Sequence, residues 1–334
     1  MVLPEENMQP DGTAAETNQR SSTFRTIVKQ LIKLVLTAVV VYFAGKQVVQ
    51  HWSEVKDYPW DIDPVLIAIS FVFHIITFGI FSKTWCLLMP AFGHQVPLRY
   101  GFKIAYIANL GRYIPGKIWP IIGQIYLLNK IGIGKKTAFV SWMVAMFYGI
   151  PSAFMASVLT IQLYPVMAEE SLGTEISVAP TLLLAVALAV AAVSILLPGQ
   201  VIRFSNFLLK RVKRAPMEFD LTPSIGLQVY LGYFFSWIAY GVSFYTFLHG
   251  IMDSPPVPTL AGMGSFVVAY LIGYLAIFAP GGIGARELVL TGVLSPFIGP
   301  IAAGVAVAAR LWNLLAEALA AIIALVIPMR GNES

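Results

Sequence analysis

The chain has 334 residues, 57% apolar and only 12% charged, with a formal net charge of +5, where ordinary soluble domains carry about 25% charged residues. That balance excludes a soluble globular protein and points to an integral membrane protein, whose basic excess collects on cytoplasmic loops and implies no nucleic-acid partner. The single cysteine, Cys86, excludes disulfides within the chain and any cysteine-based metal site.

Residues 1–23 are polar, with Glu5, Glu6, Asp11 and Glu16. They lack the basic start and early apolar core of a signal peptide, so a disordered cytoplasmic tail is expected. Residues 24–330 then read as one membrane domain. Its first apolar run, Ile27 to Val49, is long enough to span, and Arg20, Arg25, Lys29 and Lys33 precede or open it, which places the N-terminus in the cytoplasm. The next loop, with Asp57, Asp61 and Asp63, suits the outer side, and Pro64 to Met89 spans back.

The stretch Leu98 to Lys130 is apolar but interrupted at Gly111-Arg112-Tyr113-Ile114-Pro115-Gly116-Lys117. Each arm is about 13 to 15 residues, short of the roughly 20 that cross a bilayer. A single broken span would also carry Lys130, Lys135 and Lys136 outside, against the charge rule, so a re-entrant hairpin from the cytoplasm is expected. Thr137 to Leu163 spans outward, and the loop with Glu169, Glu170 and Glu175 is external. Ile176 to Leu197 returns. The stretch from Arg203 to Arg214 mixes five basic residues with Phe204, Phe207, Leu208 and Leu209 and reads as a basic amphipathic helix on the cytoplasmic surface. Ser224 to His249 is a fifth span, Thr259 to Phe278 and Glu287 to Phe297 form a second hairpin from outside, and Pro300 to Ile327 is the last span, leaving Arg330 inside.

The expected architecture is therefore an all-α polytopic membrane protein with about six transmembrane helices and two re-entrant helical hairpins. The hairpin breaks align at Pro115 and Pro280, 165 residues apart, and hydropathy keeps that register over repeat halves of about 24–165 and 176–328. Hairpins on opposite sides make the repeat inverted, the layout in which broken helices meet near the midplane to form a substrate site.

The second break, Ala279-Pro280-Gly281-Gly282-Ile283-Gly284-Ala285-Arg286-Glu287, cannot continue a helix, and unpaired backbone survives at membrane depth only inside protein or beside a wet cavity. Backbone N–H groups at Gly281, Gly282 and Gly284 and the positive end of the following helix favour an anion. Arg286 adds a bidentate phosphate contact, while Glu287 caps the helix or holds Arg286. At the first break Arg112 and Lys117 bracket Pro115 and Gly116. The plainer reading is a close-packed glycine turn with Arg286 and Glu287 paired structurally.

On the last span Arg310, Asn313 and Glu317 share one helical face, either as an interhelical salt-bridge network or in contact with substrate or protons. Because Arg310 and Glu317 are two turns apart, Asn313 or a partner such as Arg286 or Glu287 must bridge them. Cations outnumber carboxylates at these positions, which favours an anionic headgroup. Mid-span His74 is expected to bond a neighbouring carbonyl. No nucleotide loop, metal-ligand cluster or nucleophile–base set is present, so neither a cofactor nor an enzymatic activity is expected.

The pattern Asn109-Leu110-Gly111-Arg112-Tyr113-Ile114-Pro115-Gly116-Lys117-Ile118-Trp119, followed by Pro280-Gly281-Gly282-Ile283-Gly284-Ala285-Arg286-Glu287, resembles the lysylphosphatidylglycerol synthase transmembrane region, the flippase-like membrane domain of multiple peptide resistance factors. The resemblance runs through nearly all the chain after Phe24. It implies lipid translocation, and because the sequence stops at Ser334 it implies no soluble aminoacyl-transferase domain. It leaves open whether the lipid is a phospholipid, an aminoacylated one or a polyprenyl phosphate. Its motif positions are Arg112, Pro115, Gly116, Lys117, Pro280, Gly281, Gly282, Gly284, Arg286 and Glu287.

The leading expectation is a lipid flippase of the inner, cytoplasmic membrane with both termini cytoplasmic, driven by the lipid gradient, the membrane potential or protons through Glu287 or Glu317. The alternatives are an accessory subunit that presents lipid to a separate glycosyl- or aminoacyl-transferase, and an embedded lipid transferase with Glu287 as base.

Overall fold

A computed structural model describes residues 56–113, 118–163, 179–211, 213–276 and 279–329, and among them every regular element is helical. In chain order these are α1 (Pro64–Leu88), α2 (Leu98–Asn109), α3 (Trp119–Lys130), α4 (Lys135–Leu163), α5 (Ala179–Leu196), α6 (Pro198–Arg211), α7 (Pro223–Ile251), α8 (Thr259–Leu275), α9 (Ala285–Ile298) and α10 (Ala302–Val326). Four helical stretches are long and apolar enough to cross a membrane: Pro64–Phe92, Lys135–Thr160, Pro223–Ile251 and Ala285–Val326. A fifth is added if α5 and α6, which meet at 86°, are taken together. The expected span Ile27 to Val49 and the 1–23 tail lie outside the described residues, as do Ile114, Pro115, Gly116 and Lys117 of the first break.

The frame is the pair α1 and α7. Asp63 caps α1, accepting from the N–H of Val65 at 2.8 Å and of Leu66 at 3.1 Å, and Pro64 occupies a first-turn position where its missing N–H costs nothing. At 25 residues α1 is about 37 Å long, more than the roughly 30 Å of a hydrocarbon core. The two helices run antiparallel. At one end the N–H of Asp63 donates to the carbonyl of Gly250, in the middle Ser243 Oγ donates to the carbonyl of Ser70, and at the other end Thr84 packs onto Gly232.

This orientation decides where the short helices go. Helix α2 follows the Leu88 end of α1, whereas α8 follows the Ile251 end of α7, and those ends lie at opposite extremes of the antiparallel pair. The packed pairs α2/α3 and α8/α9 thus enter from opposite ends, and their tips meet: a Cβ on Gly281 would lie 2.9 Å from the Tyr113 ring. Each arm of the first pair has 12 residues, about 18 Å, too short to cross alone.

The stretch Ala285–Val326 is 42 residues of apolar helix. Glu287 and Arg310, 23 residues apart, would be separated by about 35 Å if it ran straight. They approach to 3.4 Å, so α10 folds back along α9 at the Gly299–Ile301 turn, where Gly299 takes φ 59°. Helix α10 also lies against α2, and Lys103 Nζ donates to the carbonyls of Leu325 and Ile327, two of the carbonyls that a helix end leaves unpaired.

Helix α6 turns Val201, Ser205 and Leu209 inward and leaves Arg203, Phe204, Phe207, Lys210 and Arg211 exposed, as expected of a basic amphipathic helix. The segment after it returns to the Leu88 end of α1: Phe219 stacks on Phe92 at 4.7 Å, and Lys136 Nζ donates to the carbonyl of Pro216 at 2.7 Å. Lysines and arginines of α4, α6 and the following loop therefore gather at that end, while Asp57, Asp61, Asp63 and Asp253 mark the other.

Candidate functional site

The two breaks and α10 build one polar cluster inside an otherwise aromatic and aliphatic interior. At the first break Arg112 forms an ion pair with Glu317 of α10, and its guanidinium also donates to the hydroxyls of Tyr270 at 2.8 Å and Tyr113 at 3.1 Å. Glu317 is buried and collects two further donors, the Tyr113 hydroxyl and the Asn313 amide. Asn313 in turn accepts from the Tyr240 hydroxyl of α7. A hydrogen-bonded chain thus runs from α7 through α10 to the first break, with each member supplying what the next lacks.

The second break is closed differently. Gly281, Gly282 and Gly284 all take positive φ, 58°, 72° and 82°, which a side chain would strain. The N–H of Gly282 donates to the carbonyl of Ala279, and the N–H of Gly284 donates to Glu287 Oε2 at 2.7 Å. Two of the backbone donors expected to face an anion, those of Gly282 and Gly284, are thus taken within the chain, the second by the carboxylate at the start of α9. Glu287 also pairs with Arg310, whose Nη1 donates to the carbonyl of Gly281 at 3.1 Å. Arg310 does not bridge to Glu317. Each acid on α9 and α10 has its own arginine, and α10 fastens both tips, the first through Glu317 and the second through Arg310.

Arg286 is the exception. It is buried, yet it makes no ion pair among the described residues, and its Nε has no hydrogen-bond partner. Its guanidinium carbon lies 3.6 Å from the centroid of the Tyr270 ring, a close cation–π contact. Its side chain threads between two glycines: a Cβ on Gly282 would lie 2.8 Å from its Nε, and a Cβ on Gly273 would overlap its Cγ. Tyr270 therefore stands between two arginines, its face to Arg286 and its hydroxyl to Arg112.

Both arginines line a cavity of about 550 Å³, within the roughly 300–1,000 Å³ of small-molecule pockets and large enough for a lipid headgroup. Trp85, Ile104, Gln124, Trp142 and Tyr233 form its upper wall toward the basic end, and Tyr240, Tyr270, Gly281 and Gly282 its floor. No carboxylate lines it among the described residues. Below the floor aromatic rings pack together, Phe244 stacked on Phe266 at 4.7 Å and Phe247 on Trp312 at 4.9 Å.

The structure thus brings together Arg112, Gly281, Gly282, Gly284, Arg286, Glu287, Arg310, Asn313 and Glu317, all singled out from sequence. Lys117 lies outside the described residues. His74, expected to bond a carbonyl, instead has both ring nitrogens unpartnered and is boxed edge-on by Phe78, Tyr240 and Trp312. Tyr113, Tyr240, Tyr270 and Gly273 escaped the sequence reading. Tyr113 at least adjoins Arg112 in the motif, but nothing local marks the other three. Among the described residues no group of three or more histidine, cysteine or acidic side chains is placed to hold a metal ion.

The family model for the lysylphosphatidylglycerol synthase TM region matches residues 30–324, nearly the whole chain. No curated protein matches it.

Proposed function

This chain belongs to the lysylphosphatidylglycerol synthase TM region family, and from that membership, which carries a membrane lipid-related role, we propose that it is a flippase-like transporter of a phosphate-bearing lipid headgroup. The observation that carries the reading is the cavity wall, which presents Arg112 and an uncompensated Arg286 and no carboxylate among the described residues. A buried guanidinium without a counter-ion is costly, and a phosphate is the group that would relieve it with bidentate geometry. The headgroup enters from the basic end and its acyl chains trail among the aromatic and aliphatic walls.

The antiparallel packing of α1 and α7 and the meeting of hairpin tips from opposite ends support an inverted repeat. Membrane crossing would then alternate between the basic end, near which Trp85 and Trp142 line the cavity, and the opposite end, where Phe244, Phe247, Phe266 and Trp312 pack together. By the charge rule the basic end is cytoplasmic in a cell membrane. No catalytic role is assigned, since Glu287, the best candidate base, is engaged by Gly284 and Arg310.

The test is movement of fluorescent lipids across liposome bilayers, over several headgroups, with the intact protein, Arg286→Ala and Lys117→Ala. Headgroup-dependent movement that Arg286→Ala abolishes is the expected result. Absence of movement for every headgroup, from folded protein, favours the accessory subunit instead. Orientation is checked separately: cysteines introduced at Lys213 and Asp253 should label from opposite sides.

A further inference from the structure

The site holds two carboxylates, and their surroundings differ in a way that bears on coupling. Glu287 does not line this cavity and is occupied on both oxygens, by the N–H of Gly284 and by Arg310. Both are contacts within the second break and its neighbour α10, and neither partner lines the cavity. Glu317 is different, because its ion-pair partner Arg112 is itself a wall of the cavity. An anion that reaches Arg112 must compete with Glu317 for the same guanidinium.

We infer that Glu317 couples headgroup binding to proton uptake, so that the transporter moves one proton together with one anionic phosphodiester. The inference rests on the reading of the cavity as a headgroup site. In the empty site Arg112 is neutralised by Glu317. When a phosphate oxygen takes Arg112, Glu317 would remain as a buried carboxylate stripped of its cation, a strongly unfavourable state. A proton from solution removes that charge. The neutral acid keeps hydrogen bonds in place, since it can donate to or accept from the Tyr113 hydroxyl and still accept from Asn313. The balance closes: one proton is gained on a Glu317 oxygen, one negative charge arrives with the lipid, and the net charge of the site is unchanged.

The groups that face Glu317 leave it the coupling residue. From the first break come Arg112 and Tyr113, and from its own helix Arg310, committed to Glu287 and Gly281. From α9 come Arg286 and Glu287, and from α7 Tyr240, which reaches Glu317 only through Asn313. On α1, His74 lies against Tyr240 and Trp312, boxed by rings with no acceptor or donor beside it, and on α2 Lys103 is held at the far end of α10. From α8 comes Tyr270, whose hydroxyl accepts from Arg112 at 2.8 Å and which lines the cavity with it, so the Glu317→Gln variant separates any share of proton uptake at Tyr270 from that at Glu317.

The experiment is calorimetric binding of dihexanoyl phosphatidylglycerol, a soluble anionic phospholipid, to the purified full chain in buffers of different ionisation enthalpy near neutral pH. Uptake approaching one proton per lipid bound is expected, with affinity rising up to roughly tenfold per unit fall in pH. Glu317→Gln should bind with no proton exchange and little pH dependence, whereas Glu287→Gln should retain the exchange. In liposomes an imposed pH gradient should drive this headgroup toward the alkaline side in the wild type and lose that bias in Glu317→Gln. Binding without proton uptake by the wild type overturns the coupling and leaves the headgroup site standing, with no variant needed. The same uptake in Glu317→Gln also overturns it. No binding at all overturns both.

Discussion

The two hairpin tips carry the same charge and use it differently. At the first, Arg112 is committed, with Glu317, Tyr113 and Tyr270 all around its guanidinium. At the second, Arg286 makes no ion pair among the described residues and lies against the same Tyr270 and two glycines, while its neighbour Glu287 serves Arg310 and the helix start. One arginine holds the fold together across a separation of 205 residues, Arg112 to Glu317; the other is left available. Two arginines at neighbouring breaks thus need not share a role, because burial with a counter-ion stabilises structure and burial without one creates a demand for a ligand.

The strongest way to break this comparison is to remove the counter-ion at the first tip. Glu317→Ala strands Arg112 as a buried charge, and thermal or denaturant unfolding in detergent should show a loss of about 3–5 kcal/mol. Arg286→Ala should do the reverse. Stability should fall little, while affinity for short-chain phosphatidylglycerol drops by about 1.5–3 kcal/mol, roughly ten- to a hundredfold, as for a lost charge-assisted hydrogen bond. If Arg286→Ala unfolds the protein and leaves binding intact, the assignment of roles is wrong. Next in size is Gly273→Ala. The added methyl overlaps Arg286, and overpacking of this kind costs about 1–3 kcal/mol. It should weaken headgroup binding by displacing the guanidinium, and a comparison with Gly292→Ala, where a Cβ meets open space, isolates that effect. The smallest effect is expected from Lys103→Met, which removes a cation from the C-terminal carbonyls of α10 and should cost about 0.3–1 kcal/mol in stability, with binding unchanged.

Much of the scaffold was legible in the sequence. The apolar runs that became α1, α4, α5, α7 and α10 are long and nearly free of charge, and the two breaks were marked by proline and glycine where a helix cannot continue. The site was legible in its inventory and not in its wiring. Arg112, Arg286, Glu287, Arg310, Asn313 and Glu317 stood out because ionisable groups are expensive at such depth. Which arginine would meet which acid did not, and the expected bridge from Arg310 toward Glu317 was replaced by Arg310 with Glu287 and Arg112 with Glu317. Tyr270, Tyr240 and Gly273 carried no local signal, since a tyrosine or glycine in an apolar helix reads as packing.

By itself, then, the sequence determined that this chain lives in a membrane, which segments are helical, where two of them break and which charges lie between. Those properties follow from hydropathy, backbone chemistry and local spacing, all set within a few residues. The tertiary structure alone decided that the tips meet, that Glu287 pairs with Arg310 and takes the Gly284 N–H, and that Arg286 lines a cavity on which no carboxylate stands among the described residues. Neutralisation is a matter of contact at a few ångströms, and only folding brings residues 205 apart to that distance.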